Sequence, residues 1–193
     1  MKPLTCRQEE IINASIAIIS EKGIQNLTIK NISKRIRISE PAIYRHFESK
    51  IEILITVLSR FESYHFDERN FPDTGVLSPL KRIGAVFFFH FSFFEKNPAF
   101  ASVVFSEEIF RDDKRLSEKI REIMKRNFDK IREIVEEGQK SREIRNDICS
   151  DQIILVILGS LRLLVKKWEM ADHAFDIKKE GALLWETIEK IIK

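Results

Sequence analysis

Apolar residues recur along this chain at intervals of three and four, the spacing that covers one face of an α-helix, and they do not alternate as a half-buried strand requires. Ile12, Ile16 and Ile19, flanked by Ile11 and Ile18, give the buried face of a first helix over residues 5–22, which Gly23 can end in a left-handed cap. Thr28 stands before a second stripe of Ile29, Ile32 and Ile36, where its hydroxyl can cap the open amides of a short helix. Ser39 repeats that placement. Pro41 falls in the first turn after it, where a missing amide hydrogen costs nothing, so a third helix is expected to residue 45.

Ser49 is placed to cap a fourth helix carrying Ile51, Leu54, Ile55, Leu58 and Phe61 to residue 65, a bridge between head and body. Residues 70–78, with Pro72, Asp73, Gly75 and Ser78, read as a loop. Five further helices are expected over residues 79–96, 98–110, 113–139, 150–171 and 176–192. Gly138 weakens the end of the long one, and Asp172 with His173 breaks the one after it. The fold class is therefore all-α: a three-helix N-terminal head on a larger helical body, about nine helices in all.

The 193 residues suffice for one domain, or for a small head sharing a core with a larger body. Hydrophobic residues at 44%, charged residues at 33%, and only 6 Gly and 5 Pro imply a chain folded nearly end to end. Cys6 and Cys149 lie far apart with no Cys/His spacing around them. No disulfide, metal site or cofactor is indicated, and free thiols in a reducing cytoplasm are expected. The opening MKPLTCRQEEII reaches charge before an apolar run can form, so it does not read as a signal peptide. Residues 83–94 and 153–165 are the most apolar stretches. Each is shorter than the ~18 to 20 residues a bilayer crossing needs, and the second contains Arg162. A cytoplasmic protein without a membrane span is expected.

The formal net charge of +3 is small but unevenly placed. Residues 28–50 carry Lys30, Lys34, Arg35, Arg37, Arg45 and Lys50 against Glu40 and Glu48, while basic and acidic residues on either side nearly cancel. Such a concentration is either the footprint of a polyanion or a solvated basic face. The same segment holds two short helices joined by a turn of a few residues, a helix-turn-helix. In that motif the second helix enters the major groove of duplex DNA with its N-terminal residues at base edges, while flanking donors hold the sugar-phosphate chains. Glu40, Ala42, Ile43 and Arg45 then fall on or beside the groove-facing side, and Tyr44, His46 and Lys50 line up along the backbone. An ammonium at the start of a helix gains little from the helix dipole, so a phosphate contact supplies a reason for Lys50.

The stretch TIKNISKRIRISEPAIYRHFESKIEIL, and YRHFESK within it most specifically, resembles the DNA-binding signature of the TetR family of transcription regulators. With the leading helix the resemblance covers about the first third of the chain. It implies residues 1–48 as the DNA-binding domain and residues 49–193 as a helical effector-binding and dimerisation domain. It further implies a homodimer on double-stranded operator DNA, with a small effector that alters that binding, as in a repressor. By resemblance Thr28, Tyr44, His46 and Lys50 match phosphate-contacting positions, and Arg37, Ser39 and Pro41 complete the candidate interface. Arg37 departs from the family pattern, standing in the inter-helix turn where glycine is usual. A left-handed conformation there costs a non-glycine residue roughly 1 kcal/mol or more, so either the turn is rearranged or the strain is tolerated for a phosphate contact. Ser33 replaces a usual alanine, a mild change.

Fifteen phenylalanines is a high count, and Phe87, Phe88, Phe89, Phe91, Phe93 and Phe94 fall in one helix. Successive helical residues point about 100° apart, so these rings cannot share one face, and the helix has to be enclosed on several sides. Ordinary core and the lining of an apolar effector cavity are both consistent with that, with Phe87, Phe88, Phe91, Phe94 and Phe105 as candidate lining. His90 either orients an apolar or amphipathic ligand or is satisfied locally. Arg162 interrupts an apolar run, and it pairs with an acidic effector, pairs with Glu107 or Glu108, or snorkels to the surface. Residues 153–165 are apolar on nearly every side, and the last helix adds a further apolar stripe. Val156, Gly159, Leu163, Leu184 and Ile188 are therefore expected in a dimer interface built as a four-helix bundle. One alternative is a DNA-binding accessory factor of the same fold that senses no small molecule. Another is a helical enzyme, against which no nucleophile elbow, HExxH, P-loop or Gly-rich nucleotide fingerprint is present, or a lipophile carrier, which holds only if the basic head fails to bind DNA.

Overall fold

The computed structural model describes residues 3–65, 77–105 and 113–193, the side chains of Tyr64 and His65 excepted. Most of the expected loop 70–78, and Phe110 at the expected end of the sixth helix, lie outside the described residues. The described residues hold nine α-helices and one 3-10 turn, and no strand. They fall into two compact units, Met1–Tyr64 with Asn97–Arg121, and His65–Lys96 with Glu122–Lys193. These units are a division by packing, whereas the boundary expected after residue 48 is one of role.

In the first unit, α1 (Cys6–Lys22) is opened by Thr5, whose hydroxyl and backbone exchange hydrogen bonds with Gln8, and it ends at Gly23 with φ 77°. A 3-10 turn (Ile24–Asn26) leads to α2 (Ile29–Ile36), then to the five-residue α3 (Glu40–Tyr44) and to α4 (Lys50–His65). α1 packs against α2, and α2 against α3. Ile11, Ile12, Ile18, Ile19, Leu27, Ile32, Ile43 and Phe47 are removed from water here. α6 (Pro98–Val104) lies on α1 and the 3-10 turn, and its Phe100 ring meets Phe61 of α4 at 4.6 Å between centroids. Lys119, near the start of α7 (Lys114–Lys140), pairs with Glu62 of α4 at 2.5 Å.

The second unit is built from α5 (Pro79–Lys96), the later part of α7, α8 (Ser150–Met170) and α9 (Ile177–Ile192). α9 packs closely on both α5 and α8. Two glycines allow the α5–α9 approach. A Cβ on Gly181 would stand 2.5 Å from the Phe91 ring, and one on Gly84 would stand 3.0 Å from Trp185. Gly138 lies in the last turn of α7, which ends at Lys140, close to the expected residue 139. The space above Gly138 is filled by Ile144, 2.5 Å from where a Cβ would be. After α8 the chain reverses through two left-handed residues, Asp172 and His173, and Asp176 caps α9 by accepting from the amides of Lys178 and Lys179.

Candidate nucleic-acid interface and effector region

The turn between α2 and α3 keeps the left-handed geometry that glycine usually supplies. Arg37 has φ 55° and ψ 44°, and the amide of Ile38 donates to Ser33 O at 3.1 Å. The turn is thus not rearranged, and the strain is carried by an exposed arginine. The Ser33 hydroxyl is satisfied by Lys30 O at 2.9 Å, which explains how a buried serine replaces alanine. Thr28 Oγ1 accepts from Asn31 N at 3.1 Å. Because the oxygen caps and the residue is exposed, its hydroxyl hydrogen is left to donate outward. Ser39 does not cap α3 with its side chain, contrary to expectation. Its carbonyl accepts from Ala42 N at 3.0 Å and its side chain is exposed.

Glu40, Pro41, Tyr44 and Arg45 are exposed, and Ala42 and His46 are half-buried. Ile43 is a correction. It is fully buried against the head, so it anchors α3 from behind and does not face a groove. At the start of α4, Ser49 Oγ accepts from Glu52 N and the Glu52 carboxylate accepts from Glu48 N at 2.6 Å, which leaves Lys50 exposed at the helix end. Arg35 is removed from the basic footprint by a two-pronged pair with Glu21, at 2.6 and 2.7 Å. The same hydrogen bonds hold the Glu21 carboxyl below its usual range and raise the guanidinium. Among the described residues Lys30, Lys34, Arg37, Arg45 and Lys50 are exposed and in no ion pair. Sequence reading missed Glu21, because the pairing depends on how α1 crosses α2. It also missed Gln8, whose side chain reaches His46 O at 3.3 Å.

The aromatic helix α5 divides its rings. Phe87 and Phe91 meet edge to face at 4.9 Å, Phe87 lies 5.5 Å from Trp185, and Phe91 covers Gly181, so both are core against α9. Phe88 is 38% exposed and edge-on to Trp185, so its ring is not part of the closed core. His90 and Phe94 are buried, with ring centroids 6.3 Å apart. His90 Nδ1 donates to Val86 O at 2.7 Å and the ring also hydrogen-bonds the Asn127 side chain. Burial holds its pKa below the ordinary value. Of the two readings for His90, local satisfaction is the one observed. Phe105 is half-buried and belongs to the first unit. Arg162 is half-buried on α8, and its candidate partners Glu107 and Glu108 lie outside the described residues.

On α8 and α9, Leu155, Val156, Gly159 and Leu163 are exposed, as are Met170, Leu183 and Ile191. Leu184 is half-buried. Ile188 is a correction: it is 1% exposed, spent on this chain's own core, and cannot meet a second copy.

A short helix with a polar outer face, anchored by Ile43, set by a left-handed turn behind α2 and flanked by free cations, defines a helix-turn-helix DNA-binding protein. The family of bacterial regulatory proteins, tetR family, matches residues 11–57, and the YsiA-like protein C-terminal region matches residues 74–191. The chain belongs to the TetR family and is a DNA-binding transcription regulator. The fatty acid metabolism regulator protein of Bacillus subtilis is 27% identical over 178 residues, covering 92% of this chain and 91% of that relative. The nucleoid occlusion factor SlmA of Vibrio campbellii is 27% identical over 167 residues, covering 84% and 85%. Among solved structures, FadR from Bacillus subtilis in complex with stearoyl-CoA has the same fold, with TM-score 0.79, 24% identity, and coverage of 96% of this chain and 99% of that one. No helix among the described residues is long and apolar enough to cross a membrane.

Proposed function

We propose that this chain is a cytoplasmic, homodimeric repressor whose operator affinity changes when it binds a long-chain acyl thioester. Thr28, Tyr44, His46 and Lys50 hold phosphates, and Glu40, Ala42 and Arg45 lie at base edges. The observation that carries the DNA half is the exposed outer face of α3, with unpaired cations on both sides of it. The effector half is supported by similarity along nine-tenths of both chains to a fatty acid metabolism regulator. The buried, ring-rich α5 supplies apolar side chains of the kind an acyl tail needs. The dimer is supported by Leu155, Leu163 and Met170 on one exposed face of α8, beside Leu183 and Ile191 of α9.

A second reading, an accessory DNA-binding factor without an effector, is favoured by the similarity to the nucleoid occlusion factors and by the filled packing of Phe87 and Phe91 on α9.

The DNA half is tested by titrating duplex binding against salt. The log-log slope should be about −0.9 per phosphate neutralised. Lys50→Ala should weaken operator and random duplex alike and make the slope shallower by about one unit. An unchanged slope would remove Lys50 from the phosphate set.

A further inference from the structure

We infer that Gln8 is a positioning residue for the recognition helix, an inference that rests on the DNA-binding reading above. Its side chain works in two directions. Oε1 accepts from the Thr5 amide at 3.0 Å and from Thr5 Oγ1 at 3.2 Å, while the Gln8 amide donates back to Thr5 Oγ1 at 3.3 Å, which closes the N-terminal cap of α1. Nε2 donates to the carbonyl of His46 at 3.3 Å, across 38 positions of sequence. His46 lies just beyond α3, and its own amide donates to Ile43 O at 2.9 Å. One primary amide therefore ties the start of α1 to the exit of the recognition helix.

The choice of residue fits this double task. Glutamate and glutamine both serve at this capping position, but only glutamine also carries a donor. A carboxylate would complete the cap and leave His46 O without its partner. The tether matters because α3 has five residues and cannot hold its own direction. Its orientation is fixed by burial of Ile43 and Phe47 behind it and by this bond at its end, next to Tyr44 and Arg45. A hinge at that end would tilt the base-facing side chains more than the phosphate contacts, which long flexible side chains can maintain.

The test compares the wild-type chain with Gln8→Glu, Gln8→Met and Thr5→Ala on an operator enriched from a random duplex pool and on unrelated duplex. Gln8→Glu keeps the cap, so its melting temperature should stay at the wild-type value, while its preference for operator over unrelated duplex should fall about three- to tenfold, the effect of one lost neutral hydrogen bond. Gln8→Met, which adds no charge, should lose the same preference while binding unrelated duplex as the wild type does. Thr5→Ala should lower the melting temperature and keep the preference. The carbonyl carbon resonance of His46 should move in both Gln8 variants and not in Thr5→Ala. Wild-type preference in Gln8→Glu, or an equal loss in Thr5→Ala, overturns the tether. A wild type that prefers no duplex overturns the DNA reading itself, which separates the two failures.

Discussion

His90 is the one titratable side chain that burial perturbs at the centre of the aromatic helix, and its consequence is a pH dependence of stability. Desolvation favours the neutral ring in the folded chain, outweighing the opposing bonds to Val86 and Asn127, so the folded pKa lies below the 6.5 of the free side chain. Between those two values the unfolded chain binds a proton that the folded chain refuses. Stability from this group is therefore complete above pH 6.5 and declines as pH falls below it, by at most about 1.4 kcal/mol per pH unit for one proton. Urea midpoints measured from neutral pH downward should fall for the wild type and fall less for His90→Gln. Parallel curves would mean that His90 does not titrate out of the fold. The sequence placed His90 among rings but left two roles open, because the deciding partner, Asn127, lies on another helix and no spacing rule reaches it. Ile43 was misplaced for a related reason. Five helical residues make barely more than one turn, too little for a periodicity to say which side is inside.

At the scale of the helix, the long stripes were legible and the crowded helices were not. α1 and α2 carry one apolar face each, so their buried residues largely follow from i, i+3 and i+4 spacing, with Ile16 and Ile36 half-buried. In α4 the expected stripe is turned, for Ile53 and Val57 are buried while Ile51 and Ile55 are half-buried. Thr28 and Asp172 mark real boundaries. α8 and α9 carry more apolar residues than one face can bury, and composition cannot say which of them face inward. Packing resolves it: Ile188 and Trp185 turn into the unit, while Leu163 and Leu183 turn out. Two substitutions of the same chemistry should then behave differently. Leu163→Glu puts a charge on the outer face, so the chain should stay helical, sediment as a monomer, and bind operator more weakly because only one recognition helix engages per molecule. Ile188→Glu puts an unpaired charge into the core and removes a filled volume. It should cost several kcal/mol, at or beyond the ~2 to 5 kcal/mol of a large-to-small core change, and show as lost helicity and not as a folded monomer. A dimeric Leu163→Glu would move the interface off α8.

For the whole molecule, sensing requires that effector and operator compete or cooperate through the free energy of one protein, and that demand is quantitative. A ligand that binds only the folded chain raises its stability by RT ln(1 + [L]/Kd), about 2.7 kcal/mol at a hundredfold excess over Kd, so an acyl thioester of the right length should raise the melting temperature measurably. Melting alone does not distinguish a sensor from a carrier, because both bind. A sensor must also bind operator differently when loaded, and coupling of this kind is typically about 1 to 3 kcal/mol, or roughly 5- to 150-fold in operator affinity. By linkage the same factor must appear in reverse, as a change in thioester affinity when operator is saturating. The measurement is a square of four titrations: operator with and without a long-chain acyl-CoA, and the acyl-CoA with and without operator. If the proposed acyl thioester is the effector, linkage requires equal factors on the two sides, and an effect carried by the apolar tail should vanish for coenzyme A alone. A thioester that stabilises the chain but leaves operator affinity unchanged makes the body a carrier. A panel of chain lengths that moves neither melting nor operator binding removes the effector, and the DNA-binding accessory factor, for which Phe87 and Phe91 are simply the core beneath α9, takes its place.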